Sequence, residues 1–207
     1  MSDLTSRTPV APTEWLDRAA ITQVVQDWGL ARDDGRWDML RACYTSDAVM
    51  HTTWFIGPAS EFVERSMAAA QGGARVQHFI GAATIALQGD KAVAETRMML
   101  LMRARLDDIE VDVTCWGRFH DRFLKRDGLW RIFKRVPVYE KDRLDPVDPT
   151  ARLTLDAEAL ALQPDGCRYL VYLQSRNGAV ISPDIAASGS VALARLEAES
   201  AAWLAQA

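Results

Sequence analysis

Three histidines and three cysteines are all that this 207-residue chain offers for imidazole or thiol chemistry. The histidines stand at positions 51, 78 and 120. No HExxH and no short histidine–carboxylate spacing joins them, so no metal site is expected. Cys43, Cys115 and Cys167 are as widely scattered, with no CxxC and no histidine beside any of them in sequence. An odd cysteine count without a framework reads as reduced, buried thiols of a cytoplasmic protein. The phosphate-cradling GxxxxGK[ST], a strand–GxGxxG–helix and a GxSxG elbow are all missing, so no nucleotide or other cofactor is expected. What remains is general acid–base catalysis in a pocket. That chemistry asks for a base of tuned pKa, a partner that orients it and a donor where negative charge develops.

Each candidate also has a plain structural reading. His78 lies between Val76 and Ile80 on one alternating face of a strand, where a lone histidine is ordinarily a core residue. Asp33 and Asp34 precede Gly35 and suit a helix end as well as a functional carboxylate. His120 stands between Arg118 and Arg122 on a polar face, as a structural or interfacial residue. Trp28 and Tyr44 are core residues first, with stacking on an aromatic substrate as a second role for Trp28. Met98, Met99 and Met102 read as packing, with flexible side chains that also suit an apolar ligand.

Composition narrows the partners. Twenty-four Lys and Arg against 28 Asp and Glu leave a net charge of −4, which argues against a nucleic-acid partner. With 49% apolar residues the chain can build a real core. No apolar run approaches the ~20 residues of a membrane span, so no membrane partner is expected either.

The elements that must position these residues follow from periodicity. Residues 1–12 read as a flexible arm. Thr13 reads as the cap of a helix whose Ile21, Val24, Val25 and Trp28 face inward, with Gly35 as its stop. A short helix over 36–44, a strand over 48–55 and a helix over 59–70 follow. Four long β segments then run over 75–88, 91–105, 109–125 and 129–140, broken by Gly89-Asp90, Asp107-Asp108 and Asp127-Gly128. Breaks this short favour an antiparallel meander. The expected architecture is α+β: N-terminal helices packed in a strongly curved antiparallel sheet, a cone-shaped half-barrel. Residues 144–149 read as a linker, 167–174 as a short strand and 191–204 as a helix. The pocket domain spans 13–147, and 148–207 form an extension that docks on it or on a neighbouring subunit.

Several stretches carry a resemblance: Arg18-Ala-Ala-Ile-Thr-Gln-Val-Val, Ala31-Arg-Asp-Asp-Gly-Arg-Trp-Asp-Met-Leu, Tyr44-Thr-Ser-Asp-Ala-Val, Gln77-His-Phe-Ile-Gly, Gly89-Asp-Lys-Ala-Val-Ala-Glu-Thr and Asp127-Gly-Leu-Trp-Arg-Ile-Phe-Lys-Arg. In their order and spacing the chain resembles the SnoaL-like branch of the nuclear-transport-factor-2-like superfamily. The resemblance implies a cone-shaped α+β barrel with an internal apolar pocket. Its eliminating members, such as scytalone- and bile-acid-dehydratase-like enzymes, use an Asp–His dyad. In them the histidine takes a proton from carbon and the aspartate orients it. Carried over by position, the aspartate falls on Asp33, the histidine on His78 and a cationic last-strand residue on Arg135. The donor found as Tyr or Lys in relatives falls on Trp28, which donates one N–H hydrogen bond but transfers no proton. His51 lies near where one dehydratase relative places a tyrosine, and Ala82 stands where an asparagine is common.

The expected function is a cofactor-independent lyase. It eliminates water or another group, or loses a small carbonyl fragment, from a hydrophobic, cyclic or aromatic substrate. His78, Asp33 and Arg135 are the catalytic candidates; Trp28, His51, Tyr44 and Met98 are the substrate-binding ones. An isomerase or cyclase using the same base is the alternative, and a non-catalytic ligand-binding or assembly subunit a third. The resemblance also implies a homo-oligomer, dimer or trimer, built on the outer sheet face through Arg97, Arg103, Arg105, Glu110 and Asp112.

Overall fold

The computed structural model describes residues 11–73 and 75–206; the expected N-terminal arm falls almost wholly outside the described residues. Helix α1 (Pro12–Asp33) opens without the side-chain cap expected at Thr13, because Pro12, with its fixed φ, occupies the first turn. It buries Ile21, Val25, Trp28 and Ala31. It stops where the Asp34 amide donates to the Leu30 carbonyl and Gly35 turns left-handed at φ 69°. Helix α2 (Trp37–Ala42), strand β1 (Tyr44–His51), strand β2 (Ile56–Pro58) and helix α3 (Ala59–Gln71) complete the N-terminal half.

Four long strands follow: β3 (Arg75–Gln88), β4 (Lys91–Leu106), β5 (Ile109–Arg126) and β6 (Leu129–Pro146). Among the described residues they form one six-stranded sheet of order β2-β1-β6-β5-β4-β3. The four-strand meander is antiparallel as expected, but β1 joins β6 in parallel. Long strands with register shifts curl. Shifts occur between Ile80 and Ala83, Trp116 and Gly117, and Arg122 and Phe123. Gly117 is required at its bulge, since a Cβ there would meet the Val138 carbonyl at 2.2 Å. The inward set of β4 (Ala92, Ala94, Thr96, Met98) and of β5 (Val111, Val113, Cys115, Phe119, Phe123) lines the concave face and packs on α1 and α3.

Strand β6 continues to Pro146, through the start of the expected linker, because Val111 and Asp112 keep pairing with Pro146 and Asp145. A proline is tolerated there at the strand's last residue. The expected strand over 167–174 is instead helix α5 (Arg168–Arg176), which follows the short helix α4 (Ala157–Ala161). Its apolar run is short enough to fit either period. Leu170, Val171 and Leu173 bury into the same core as the barrel, so the helical reading wins by packing. Helix α6 (Val191–Ala205) lies across the outer sheet face, tied by Arg118 to Glu197, Arg122 to Ser200 and Trp203 stacked on Phe133. The charged outer residues pair within the chain: Arg97 with Glu140, Arg103 with Asp112 and Arg75 with Glu110.

One ion pair sits inside this core. Arg135 of β6 and Asp121 of β5 stand directly opposite and form a two-pronged hydrogen bond at 2.7 and 2.8 Å, both side chains fully buried. The guanidinium lies 3.9 Å from the Phe119 ring centre and 4.3 Å from that of Trp28. Removing one partner strands the other charge in the core. Asp121→Ala is therefore expected to lower stability by ~3–5 kcal/mol, measured by urea denaturation. A loss under about 1 kcal/mol would mean the pair is hydrated.

Candidate active site

Asp33 is the last residue of α1, and His78 faces it from β3. Gly29, one helical turn earlier, lets the two elements approach; a Cβ there would meet Ile80 at 2.8 Å. The Asp33 carboxylate accepts from two groups of one residue. Its Oδ2 takes the His78 backbone N–H at 2.6 Å, and its Oδ1 lies 2.6 Å from His78 Nδ1. A carboxylate in this role accepts, so Nδ1 carries the proton and Nε2 keeps its lone pair. Trp28 meets the imidazole edge-on at 5.1 Å between ring centres. Burial lowers the His78 pKa, opposed by Asp33 and helped by Arg32 and Arg135. Burial thus favours the neutral ring. Asp34, by contrast, points outward to Arg36 at 2.9 Å.

His78 opens on a cavity of about 80 Å³. Its walls are mostly apolar: Trp28, Trp54, Phe62, Met98, Leu100 and Phe119. That volume is below the several hundred Å³ of usual ligand sites. It suits a small ring, with Met98 and Met102 as the walls best able to yield. Polar groups on the wall are few: Arg32, Thr52, Thr53, Tyr139 and Gln174. Thr53 donates to Gln174 at 2.5 Å. Burial holds the Tyr139 phenol well above its ordinary pKa, so it stays protonated and able to donate.

Of the residues singled out in the sequence, His78, Trp28 and Met98 line this cavity, and Asp33 holds His78 without lining it. Arg135 does not line it; Trp28, Phe119 and Asp121 enclose its guanidinium, which removes it from direct substrate contact. Tyr44 also lies behind the wall, where its hydroxyl accepts from Trp28 Nε1 at 2.6 Å. These two residues fix the Trp28 ring rather than face the cavity. His51 faces a different cleft with Lys134, Asp184 and Glu199. There burial, then Lys134, brings its pKa down to about 4. His120 lies under α6, with Nδ1 3.4 Å from Glu95.

Several cavity residues escaped the sequence reading, Arg32, Tyr139 and Gln174 among them. Arg32 had a legible signal, since it stands four residues after Trp28 and shares its helix face. Tyr139 follows the inward alternation of β6 from Pro137. Gln174 had none, because it comes from α5 in the extension. The cysteines are buried thiols held protonated, Cys43 near 11 and Cys167 near 12, in each case chiefly by burial. Among the described residues no three of His, Cys, Asp and Glu converge as a metal site. Nor is any described helix long and apolar enough to cross a membrane.

The SnoaL-like domain family matches residues 13–136. An uncharacterized protein of Emericella nidulans is 32% identical over 168 residues, covering 77% of this chain and 70% of that one. Among solved structures, a hexachlorocyclohexane dehydrochlorinase superposes with a TM-score of 0.56 at 13% identity, covering 70% of this chain and 97% of its own. A scytalone dehydratase candidate from Novosphingobium aromaticivorans gives 0.55 at 16%, covering 69% and 98%. The chain belongs to the SnoaL-like family.

The depressed His78 pKa has a consequence for stability. Below the ordinary histidine value of ~6.5 the unfolded chain binds a proton at this position that the folded chain resists. Stability contributed by His78 is thus present above ~pH 6.5 and lost as pH falls beneath it. Urea denaturation is expected to show wild type losing more stability than His78→Gln between pH 7 and 5. Parallel curves would mean that His78 protonates as readily folded as unfolded.

Proposed function

We propose that the protein is a cofactor-independent lyase that eliminates water or a comparable leaving group from a small cyclic or aromatic substrate. The observation that carries this reading is the 2.6 Å contact between His78 Nδ1 and Asp33 at the wall of an apolar cavity. His78 Nε2 takes a proton from a carbon beside the one bearing the leaving group. The C–H electron pair becomes the new double bond, and the bond to the leaving oxygen breaks. The departing hydroxide takes the proton from the His78 imidazolium and leaves as water, which restores the neutral base. Asp33 stabilises the imidazolium in between, more strongly in this desolvated setting than in water. Family membership supports the reading, as do the names of two fold neighbours, a dehydratase candidate and a dehydrochlorinase. No metal or cofactor enters the scheme. The expected cytoplasmic location and homo-oligomeric assembly belong to the same proposal.

The test is a panel of small hydroxylated and halogenated rings incubated with purified protein in D2O and followed by mass spectrometry. Loss of water or hydrogen halide is the expected result. Deuterium uptake at otherwise unchanged composition would identify an isomerase instead. His78→Ala and Asp33→Asn are each expected to lower kcat/KM by ~10²–10⁴. The acid limb of kcat/KM is expected below the ordinary histidine pKa, with activity lost as pH falls through it. Turnover that survives both substitutions contradicts the assignment.

A further inference from the structure

Arg32 is the one cation on the wall of the His78 cavity. The side chain is half-buried, and burial lowers its pKa. Yet among the described residues it forms no ion pair. The neighbouring carboxylate is committed elsewhere, since both Asp33 oxygens are taken by His78, one by the backbone N–H and one by the ring. The other arginine of this region has an acid of its own: Arg135 holds Asp121 with two hydrogen bonds. Arg32 therefore presents an unused fork of N–H donors to the cavity. A half-buried cation without an acid partner favours an anion, and a planar one is what that fork fits.

We infer that Arg32 reads a carboxylate on the substrate, so the ligand of this cavity is a small ring acid rather than a neutral ring. This deepens the elimination reading and rests on the same cavity. The charges are consistent with it. Asp121 is matched by Arg135 and both Asp33 oxygens are held by His78 N–H groups, which leaves Arg32 as the cation that an incoming negative charge meets. A carboxylate anchored beside His78 also puts the carbon next to it within the reach of the base. Arg32 then holds the negative charge that gathers on the carboxylate oxygens as that carbon gives up its proton. The position of Arg32 on α1, four residues after Trp28, stacks the anion reader and the aromatic wall on one helix face.

Benzoate and benzamide test this, because they share size and shape and differ in charge. Binding is read by the fluorescence of the wall tryptophans, Trp28 and Trp54, or by calorimetry. Wild type is expected to bind benzoate at least about tenfold more tightly than benzamide. In Arg32→Met the preference disappears while benzamide affinity is unchanged. Arg32→Lys keeps part of it, because a point charge replaces the fork. Neither probe carries a leaving group, so the reading does not depend on turnover, which separates this inference from the elimination chemistry. If no substrate is turned over but the preference holds, the lyase reading falls and the anion site stands. Equal binding of the two probes by wild type, no binding of either, or a preference that survives in folded Arg32→Met overturns the inference.

Discussion

One carboxylate holds this structure to its chemistry. Asp33 ends α1 and accepts two N–H groups from His78, one from the backbone and one from the ring. The backbone contact pins the end of the helix to β3. β3 lies at the sheet edge, so that main-chain donor is available to a helix-borne carboxylate. The ring contact sets the tautomer. A single side chain thus joins two elements far apart in sequence and fixes which imidazole nitrogen meets the cavity. Gly29 is the steric condition for this, because a larger residue would lift α1 from Ile80.

Behind the dyad stands a second layer that never touches the cavity. The buried Arg135–Asp121 pair supports the Trp28 and Phe119 rings from beneath, and Tyr44 takes the indole N–H. Trp28 in turn packs its edge on His78. The base is thereby held by a hydrogen bond on one side and by an aromatic ring of fixed orientation on another. An ion pair here is weak evidence for net stability, and its better-supported role is to fix one arrangement. The C-terminal extension acts on the cavity wall itself. Gln174 of α5 reaches the cavity, and the stretch at 186–188 hydrogen-bonds the Tyr139 backbone on both sides. The extension is therefore part of the pocket wall.

Much of this was legible from periodicity and turn chemistry. The helical face of Ile21, Val25 and Trp28 and the alternation along β4 and β5 predict which residues face the core, and they do. The meander follows from its two-residue turns. Asp33 and His78 were readable only through family resemblance, since 45 positions separate them and no local pattern links a helix end to a distant strand. Arg135 misled because sequence shows a cation in a strand but not the buried acid opposite it. His51 misled in the same way, since strand position alone does not fix which side of the sheet a side chain serves once β1 pairs in parallel. The segment 167–174 misled because a short apolar run fits either period. Its helical state follows from packing on the barrel, which no local rule encodes.

The central claim is that burial keeps His78 a neutral base while Asp33 fixes its tautomer, leaving Nε2 free. The ¹⁵N chemical shifts of the His78 ring at neutral pH read this directly. The account predicts a protonated Nδ1 and an unprotonated Nε2. A protonated Nε2, whether as the other tautomer or as the imidazolium, would contradict it.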